Sequence, residues 1–422
     1  MTNKTVKNIT CMDSEYDPSI LTMQQALAHI ENSIQPIHSN EQIAIHRALD
    51  RVLAEDIQSP LNIPPYDNSA MDGYAVASRD IPASGDAQLK NVATILAGTP
   101  FNGQIAPGQC ARIMTGAKIP SGTDTVIMQE RVEVNGDTIT IDSHHTKGQS
   151  VRRAGEDIRV ADTVLTRGRK ITPADIGLLA SLGIPEIKVY RKIRTAFFST
   201  GDELKPLGSV LQDGQIYDSN RYTLIGMLSR FGAEILDMGA IADNRQAIET
   251  AFRTAAENAD VLITTGGVSV GEADFVKETL ERQGNVEFWK LAMKPGKPLA
   301  FGRVNNCWFF GLPGNPVSAM VTFYQMVLPG LRKLSGQDKL DNPTIKLRCV
   351  SKLKKSPGRL EYQRGVMETN ANGELVVKST GDQGSHMLTS MSKANCFIVL
   401  PLESGDMEPG SEVEVQPFFG MV

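Results

Sequence analysis

Several common kinds of chemistry are missing from this chain. Its 422 residues include five cysteines, Cys11, Cys110, Cys307, Cys349 and Cys396, which are scattered, odd in number and without a Cys-x-x-Cys pair. That excludes a disulfide framework and a cysteine-built zinc site, and it points to a reducing, cytoplasmic setting. The six histidines offer no metal-spaced pair: His144 and His145 are adjacent in a polar stretch and read as solvated loop residues. No apolar run reaches the roughly 18 residues that a membrane span requires, and the opening stretch is polar with mixed charge, so neither a membrane anchor nor a signal peptide is predicted. Basic residues are outnumbered, 43 to 48, for a net charge of −5. No Lys/Arg cluster is interleaved with aromatics either, so nucleic acid is not a predicted partner. No glycine loop ends in Gly-Lys-Ser/Thr, which removes ordinary P-loop ATP hydrolysis.

What is present begins with Asp260 to Asp274, where a short apolar strand, Val261 to Thr265, runs into a glycine-rich loop ending in carboxylates. A strand apolar without alternation is buried on both faces of a parallel sheet, and ligands of such sheets sit beyond the carboxyl ends of the strands. Gly266, Gly267 and Gly271 allow a bulky anion to approach the backbone. Glu272 and Asp274 stand at the same mouth, where carboxylates hold a hard cation or pair with a base.

The organisation is multidomain, combining α/β and β units. Thr22 and Gln25 form a capping box before Met23, Ala26, Leu27, Ile30 and Ile34, one apolar stripe of a helix. From Ile57 to Gln149 short β segments are broken by Pro and Gly, and Asn135-Gly136 predicts a type I′ hairpin between 132–134 and 138–141. Thr172-Pro173 then opens a helix that Gly183 closes. This predicts a split helical domain (20–56 and 150–190) carrying an inserted β-rich domain (57–149). Residues 191–340 alternate strands and helices as a doubly wound α/β domain does, with strands at Ile193 to Ser199, Glu234 to Gly239, Val261 to Thr265 and Cys307 to Leu312. A helix stopping at Gly232 and one capped by Asp243 are expected between them. Residues 341–422 are all β, with a turn at Asn372-Gly373, and read as a small β barrel or sandwich.

Four strand ends would aim loops at one rim. There the sequence supplies Glu203, Asp243, Asp274, the stiff Lys294-Pro-Gly-Lys297 loop and the turn Pro313 to Pro316. Carboxylates without His or Cys favour Mg²⁺, while glycine loops and lysines favour phosphate or another oxyanion. The plainer reading is that each carboxylate caps a helix and each lysine is solvated. In the β-rich domain, Pro64 to Tyr74 carries Asp67 and Asp72, either as ligands or as Asx-turn formers. Arg152 and Arg153 suit a bidentate oxyanion or an Arg–Glu surface pair.

Taken together, Asp67-Asn-Ser-Ala-Met-Asp-Gly-Tyr-Ala75, Ile113-Met-Thr-Gly116, Gly155-Glu-Asp157, Ser199-Thr-Gly-Asp-Glu203, Thr264-Thr-Gly-Gly-Val-Ser-Val-Gly271, Lys294-Pro-Gly-Lys-Pro298 and Leu312-Pro-Gly-Asn-Pro-Val317 resemble the molybdopterin molybdenumtransferase family. These are the molybdenum insertases that include MoeA and the E domain of gephyrin. The resemblance implies an elongated homodimer whose clefts lie between the α/β domain of one subunit and the β-rich domain of the other. It implies adenylylated molybdopterin and molybdate as substrates, required Mg²⁺, AMP as a product, and a molybdopterin adenylyltransferase as substrate donor. By the same resemblance Glu203, Asp243 and Asp274 hold the metal, and Asp72, Thr115 and Asp157 reach in from the partner subunit. Gly266, Gly267, Ser269, Lys294, Lys297, Pro313, Pro316, Ser318, Arg364 and Ser385 face the substrate. No nucleophilic side chain is needed, because the dithiolene thiolates belong to the substrate. Two departures stand out: Asn244 where many relatives carry a second acid, and Thr265 where a serine is common. The α/β domain also resembles molybdopterin adenylyltransferases, and a dimeric scaffold without catalysis is the non-enzyme alternative.

Overall fold

The computed structural model describes residues 20–266 and 275–418. Its centre is a six-stranded mixed sheet in the order Glu234–Ile241, Arg194–Thr200, Val261–Thr265, Cys307–Leu312, Pro298–Val304, Gly284–Lys290. The first four are mutually parallel and the last two form an antiparallel hairpin at the edge. Apolar residues on both sides of each central strand explain the two covered faces. Phe197, Val261, Ile263 and Phe310 point into one core, shared with the helices Ser219–Phe231 and Pro316–Thr322. Phe198, Leu262 and Phe309 point into the other, under Arg245–Asn258 and Phe275–Gln283. Each such side chain, fully buried, contributes about 1.5–3 kcal/mol. The edge hairpin was not anticipated from the sequence, because its Gly and Pro content masks the strand pattern. Its register runs from Gly284 opposite Val304 to Lys290 opposite Pro298.

The capping box at Thr22 forms as expected: its hydroxyl accepts from Gln25 N–H at 3.2 Å, and the Gln25 side chain accepts from Thr22 N–H at 2.9 Å. The helix it opens, Met23–Ser33, buries Met23, Ala26 and Ile30 in the core of the α/β sheet. A separate core of Ile43, Leu53, Leu165, Leu179, Ile187 and Val189 joins the two flanks of the β insertion.

The inserted sheet orders Thr125–Met128, Gly73–Val76, Gln109–Ile113, Ala87–Ile95, Thr138–Ile141, Glu133–Asn135. Its hairpin pairs Asn135 with Thr138, so the two turn residues are Gly136 and Asp137. Only Gly136 has positive φ, at 61°. Glycine at the first central position is the type II′ signature, which corrects the expected type I′ turn by one residue.

In the C-terminal region Leu360–Thr369, Leu375–Ser379, Ile345–Cys349, Glu412–Pro417 and Cys396–Leu400 pair in sequence, and Cys396–Leu400 returns to pair with Leu360–Thr369. The ring is closed, so the region is a small barrel, without free edges. One further strand, Met293–Lys294 from the α/β unit, adds in parallel to Leu360 and Glu361. The four described cysteines are buried and free. Among the described residues no helix is long and apolar enough to cross a membrane.

Candidate active site

The parallel strands run 2-1-3-4 in chain order, which puts the topological switch between Arg194–Thr200 and Val261–Thr265. At their carboxyl ends Ser199 and Thr265 join hydroxyls at 3.0 Å, both buried, so Thr265 supplies the hydroxyl a serine would. Gly266 follows with φ 86°, and a Cβ there would come within 2.9 Å of the Thr200 carbonyl oxygen. Only glycine fits so close to the neighbouring strand end. The Glu203 carboxylate folds back over Gly201, where a Cβ would meet its Oε2 at 2.5 Å.

Asp243 does not cap the next helix. Asn244 does, accepting from Ala247 N–H at 3.0 Å through its side chain. The departure at 244 therefore has a structural role, and Asp243 is left free of capping. Partial loss of hydration, followed by the charges of Asp202 and Glu203, pushes the Asp243 carboxyl above the ordinary carboxylate range. Neighbouring acids that raise a carboxyl's affinity for a proton also favour a cation that could replace it. Asp202 was not singled out in the sequence, although it stands inside the Thr-Gly-Asp-Glu motif. Among the described residues no three acids, histidines or cysteines already stand at metal-holding geometry. Gly267, Ser269, Glu272 and Asp274 lie outside the described residues.

The lysine loop meets the next strand end. A Cβ on Gly296 would lie 2.5 Å from Thr322 Oγ1 and 3.5 Å from the Ser318 carbonyl oxygen, so 294–297 packs against the helix that Pro316 opens. Ser318 is buried in its first turn, and Pro313 is buried just before it. Val317 N–H donates to the Ser385 carbonyl oxygen at 3.1 Å, which brings the barrel to the same place. Lys294 Nζ lies 3.1 Å from Oε1 of buried Glu361, while Lys297 is half-buried. Arg364 is fully buried, donating from Nε to Ser390 Oγ at 3.0 Å and from Nη2 to the Gly384 carbonyl at 3.1 Å. Burial brings its pKa down to about 10. Arg364 thus holds the Ser385 loop in place from beneath. Glu361, which sets the position of Lys294, carried no sequence signal because it is a lone acid at the second position of a strand, outside any motif.

In the inserted sheet Asp72 Oδ1 accepts from the hydroxyl and the backbone N–H of Thr115, each at 2.7 Å. The Thr115 hydroxyl first, then its N–H, hold the Asp72 carboxyl below the usual range. Both residues are exposed. Asp67 accepts from Ala154 N–H at 2.8 Å and from Arg153 Nη1 at 2.7 Å, a fixed tie to the 150–157 segment instead of a local turn. Asp157 is exposed there, with its N–H on the Ile63 carbonyl at 3.0 Å. Among the described residues no hydrogen bond or ion pair within this chain links Asp72, Thr115 or Asp157 to the rim.

Residues 21–183 match the MoeA N-terminal region (domain I and II), 196–333 the probable molybdopterin binding domain, and 346–418 the MoeA C-terminal region (domain IV). A molybdopterin molybdenumtransferase of Haemophilus influenzae is 47% identical over 401 residues, covering 94% of this chain and 99% of its own. The chain belongs to the molybdopterin molybdenumtransferase family. Another of that name from a Nostoc species is 36% identical over 406 residues. Gephyrin of Dictyostelium discoideum is 36% identical, with 59% of its length covered. The crystal structure of a molybdopterin biosynthesis MoeA protein from Pyrococcus horikoshii superposes with TM-score 0.83 at 27% identity, covering 94% of this chain and all of that one. That structure thus shares the chain's overall architecture.

Proposed function

We propose that this chain is a transferase that inserts molybdenum from molybdate into molybdopterin, a step of molybdenum cofactor synthesis. The observation that carries the reading is the gathering at neighbouring strand ends of an Asp243 carboxyl raised by partial burial and by two adjacent acids, a close-packed glycine, and a lysine loop. It is joined by full-length identity to curated molybdopterin molybdenumtransferases. In finer detail, we take the substrate to be adenylylated molybdopterin and a second product to be AMP. The charges of Asp202 and Glu203 beside Asp243 suit a hard divalent cation, and Glu203 and Asp243, with Asp274, would hold Mg²⁺. When bound, Mg²⁺ supplies charge neutralisation at the phosphoanhydride.

The chain's own residues account for the rest. Two anions must be brought together, and their repulsion at short range amounts to several kcal/mol near a protein surface. Lys294 and Lys297 offset it from the loop packed on the Ser318 helix. Glu361 keeps Lys294 in place without the entropy loss of fixing a free side chain. The Pro313–Ser318 helix start and the Ser385 loop close one side of the site, with Arg364 beneath them. Gly266, and with it Gly267 and Ser269, would cradle the pterin or phosphate.

Among the described residues Asp72, Thr115 and Asp157 make no hydrogen bond or ion pair to the rim of their own chain, which supports a homodimer with clefts shared between subunits. A molybdopterin adenylyltransferase would supply the substrate in the cytoplasm. The domain limits 20–56 with 150–190, 57–149, 191–340 and 341–422 belong to the same reading.

The test is AMP release from adenylylated molybdopterin, with and without molybdate and Mg²⁺, scored alongside molybdenum in the recovered pterin. Joint appearance of both products only with both ions is the expected result. Conversion of molybdopterin and ATP into the adenylylated compound would instead identify an adenylyltransferase. Inactivity in both assays would leave the scaffold.

A further inference from the structure

Between the Glu203 loop and the Pro313 turn lies a segment that the reaction described above does not use. Ile216 N–H donates to the Glu203 carbonyl oxygen at 2.9 Å, and Leu204–Lys205 pairs with Ile216–Tyr217. Asp218 follows immediately and caps the 13-residue helix Ser219–Phe231, its Oδ1 accepting from Arg221 N–H at 3.0 Å. Asn220, the second residue of that helix, donates from Nδ2 to the Gly314 carbonyl oxygen at 2.7 Å. Residues 216–220 thus bridge two of the rim's strand-end loops.

Each of these two side chains has one acceptor left over. Asp218 is only 5% exposed, and its Oδ2 is buried with no hydrogen-bond partner. Asn220 Oδ1 is likewise buried and without a partner. The Arg221 guanidinium bonds to Asp237 instead, with Nε 3.0 Å from both carboxylate oxygens. Leaving a buried acceptor unsatisfied is costly, and for a carboxylate oxygen more so than for a neutral one. Two such acceptors on the segment that joins the Glu203 loop to the Pro313 turn call for a ligand that presents two donors.

We infer that Asp218 and Asn220 form the acceptor edge that reads the pterin ring of the substrate. The inference rests on the molybdopterin reading of the site. A pterin carries an amide N–H and an exocyclic amino group, two donors for which one carboxylate oxygen and one amide oxygen, two residues apart in the chain, are the complementary acceptors. Placed there, the ring would lie between the Glu203 loop and the Pro313 turn, with its side chain directed along the rim toward the acids and lysines.

The experiment measures binding of molybdopterin, pterin and lumazine, which carries a carbonyl in place of the amino group, to the wild-type protein and to Asp218→Asn. Asparagine caps helices as well as aspartate does, so the fold is kept, and a thermal melt verifies it. The wild type is expected to bind molybdopterin and to prefer pterin over lumazine by about tenfold or more, the scale of a hydrogen bond to a charged group. In Asp218→Asn an amide donor faces the amino group, and the preference should vanish or invert. Asn220→Ala should weaken pterin binding to a lesser degree. If the wild type binds molybdopterin but the pterin preference survives Asp218→Asn unchanged, the subsite is wrong and the functional reading stands; the orphaned oxygens then hold only water. If the wild type binds neither molybdopterin nor pterin, the functional reading fails and the subsite with it.

Discussion

Asp72 and Asp243 are both exposed carboxylates next to loops, and their surroundings act on them in opposite directions. Asp72 has two donors from Thr115 on one oxygen and sits below the usual carboxylate range. Asp243 has two acids for company and sits above it. The first is satisfied by its own sheet before any ligand arrives, whereas the second is satisfied only when something positive does. A site built this way separates two tasks: the inserted sheet presents a rigid, ionised group, and the α/β rim stores an electrostatic deficit that a bound cation relieves.

The most severe way to break this contrast is Glu203→Gln. With one fewer anionic ligand the rim should bind Mg²⁺ poorly, and AMP release should fall on the order of a hundredfold, the scale of losing one preorganised electrostatic contact. Unchanged turnover in that variant would remove the acid cluster from the mechanism. Next comes mixing Asp72→Asn with Asp243→Asn subunits. Each homodimer should be inactive, and purified heterodimers should regain about half of wild-type activity, because one of two symmetric clefts is intact. Heterodimers as inactive as the parents would mean that the two acids do not meet across an interface.

A subtler effect separates the two acids by stability. A carboxyl whose folded pKa is raised binds more protons in the native state than in the unfolded one, so its contribution to stability declines as pH rises through that window. Without Mg²⁺, Asp243→Asn should therefore melt higher than wild type at neutral pH. The gain should fade as pH drops below the ordinary Asp value of about 4, and added Mg²⁺ should raise the wild-type melting temperature but not that of the variant. Asp72 has the opposite sign: its stabilisation is present above the unfolded pKa and is lost as pH falls through the lowered folded value. The smallest effect is expected from Thr115→Val. It removes the hydroxyl donor and leaves the N–H, so an NMR titration should show the Asp72 carboxyl moving up toward its ordinary value.

What could be read from the chain beforehand follows the range of the interaction. Thr22 with Gln25, and Gly232 ending a helix at φ 87°, are contacts within one turn, and they formed as the sequence suggested. Three of the four parallel strands were visible because burial on both faces demands continuous apolar runs, whereas the edge strand Glu234–Ile241 has no fully buried residue and showed itself by its place between two helices. Asp243 and Asn244 could not be told apart as caps from sequence, since both are favoured there and a one-residue shift decides which side chain is released to the rim. The partnership of Lys294 with Glu361 and the unpaired oxygens of Asp218 and Asn220 arise from segments that meet only after folding. No local pattern encodes them.

Lys294 belongs to the α/β unit by chain position and to the barrel by hydrogen bonding, since Met293–Lys294 is laid against Leu360 and Glu361. In modular terms the barrel is not an attachment that could be cut away at residue 341 or exchanged for another. Removing it would leave a lysine loop without the strand that shapes it and a helix start at Val317 without its carbonyl partner. The two units can be inherited, deleted or redesigned only as a pair.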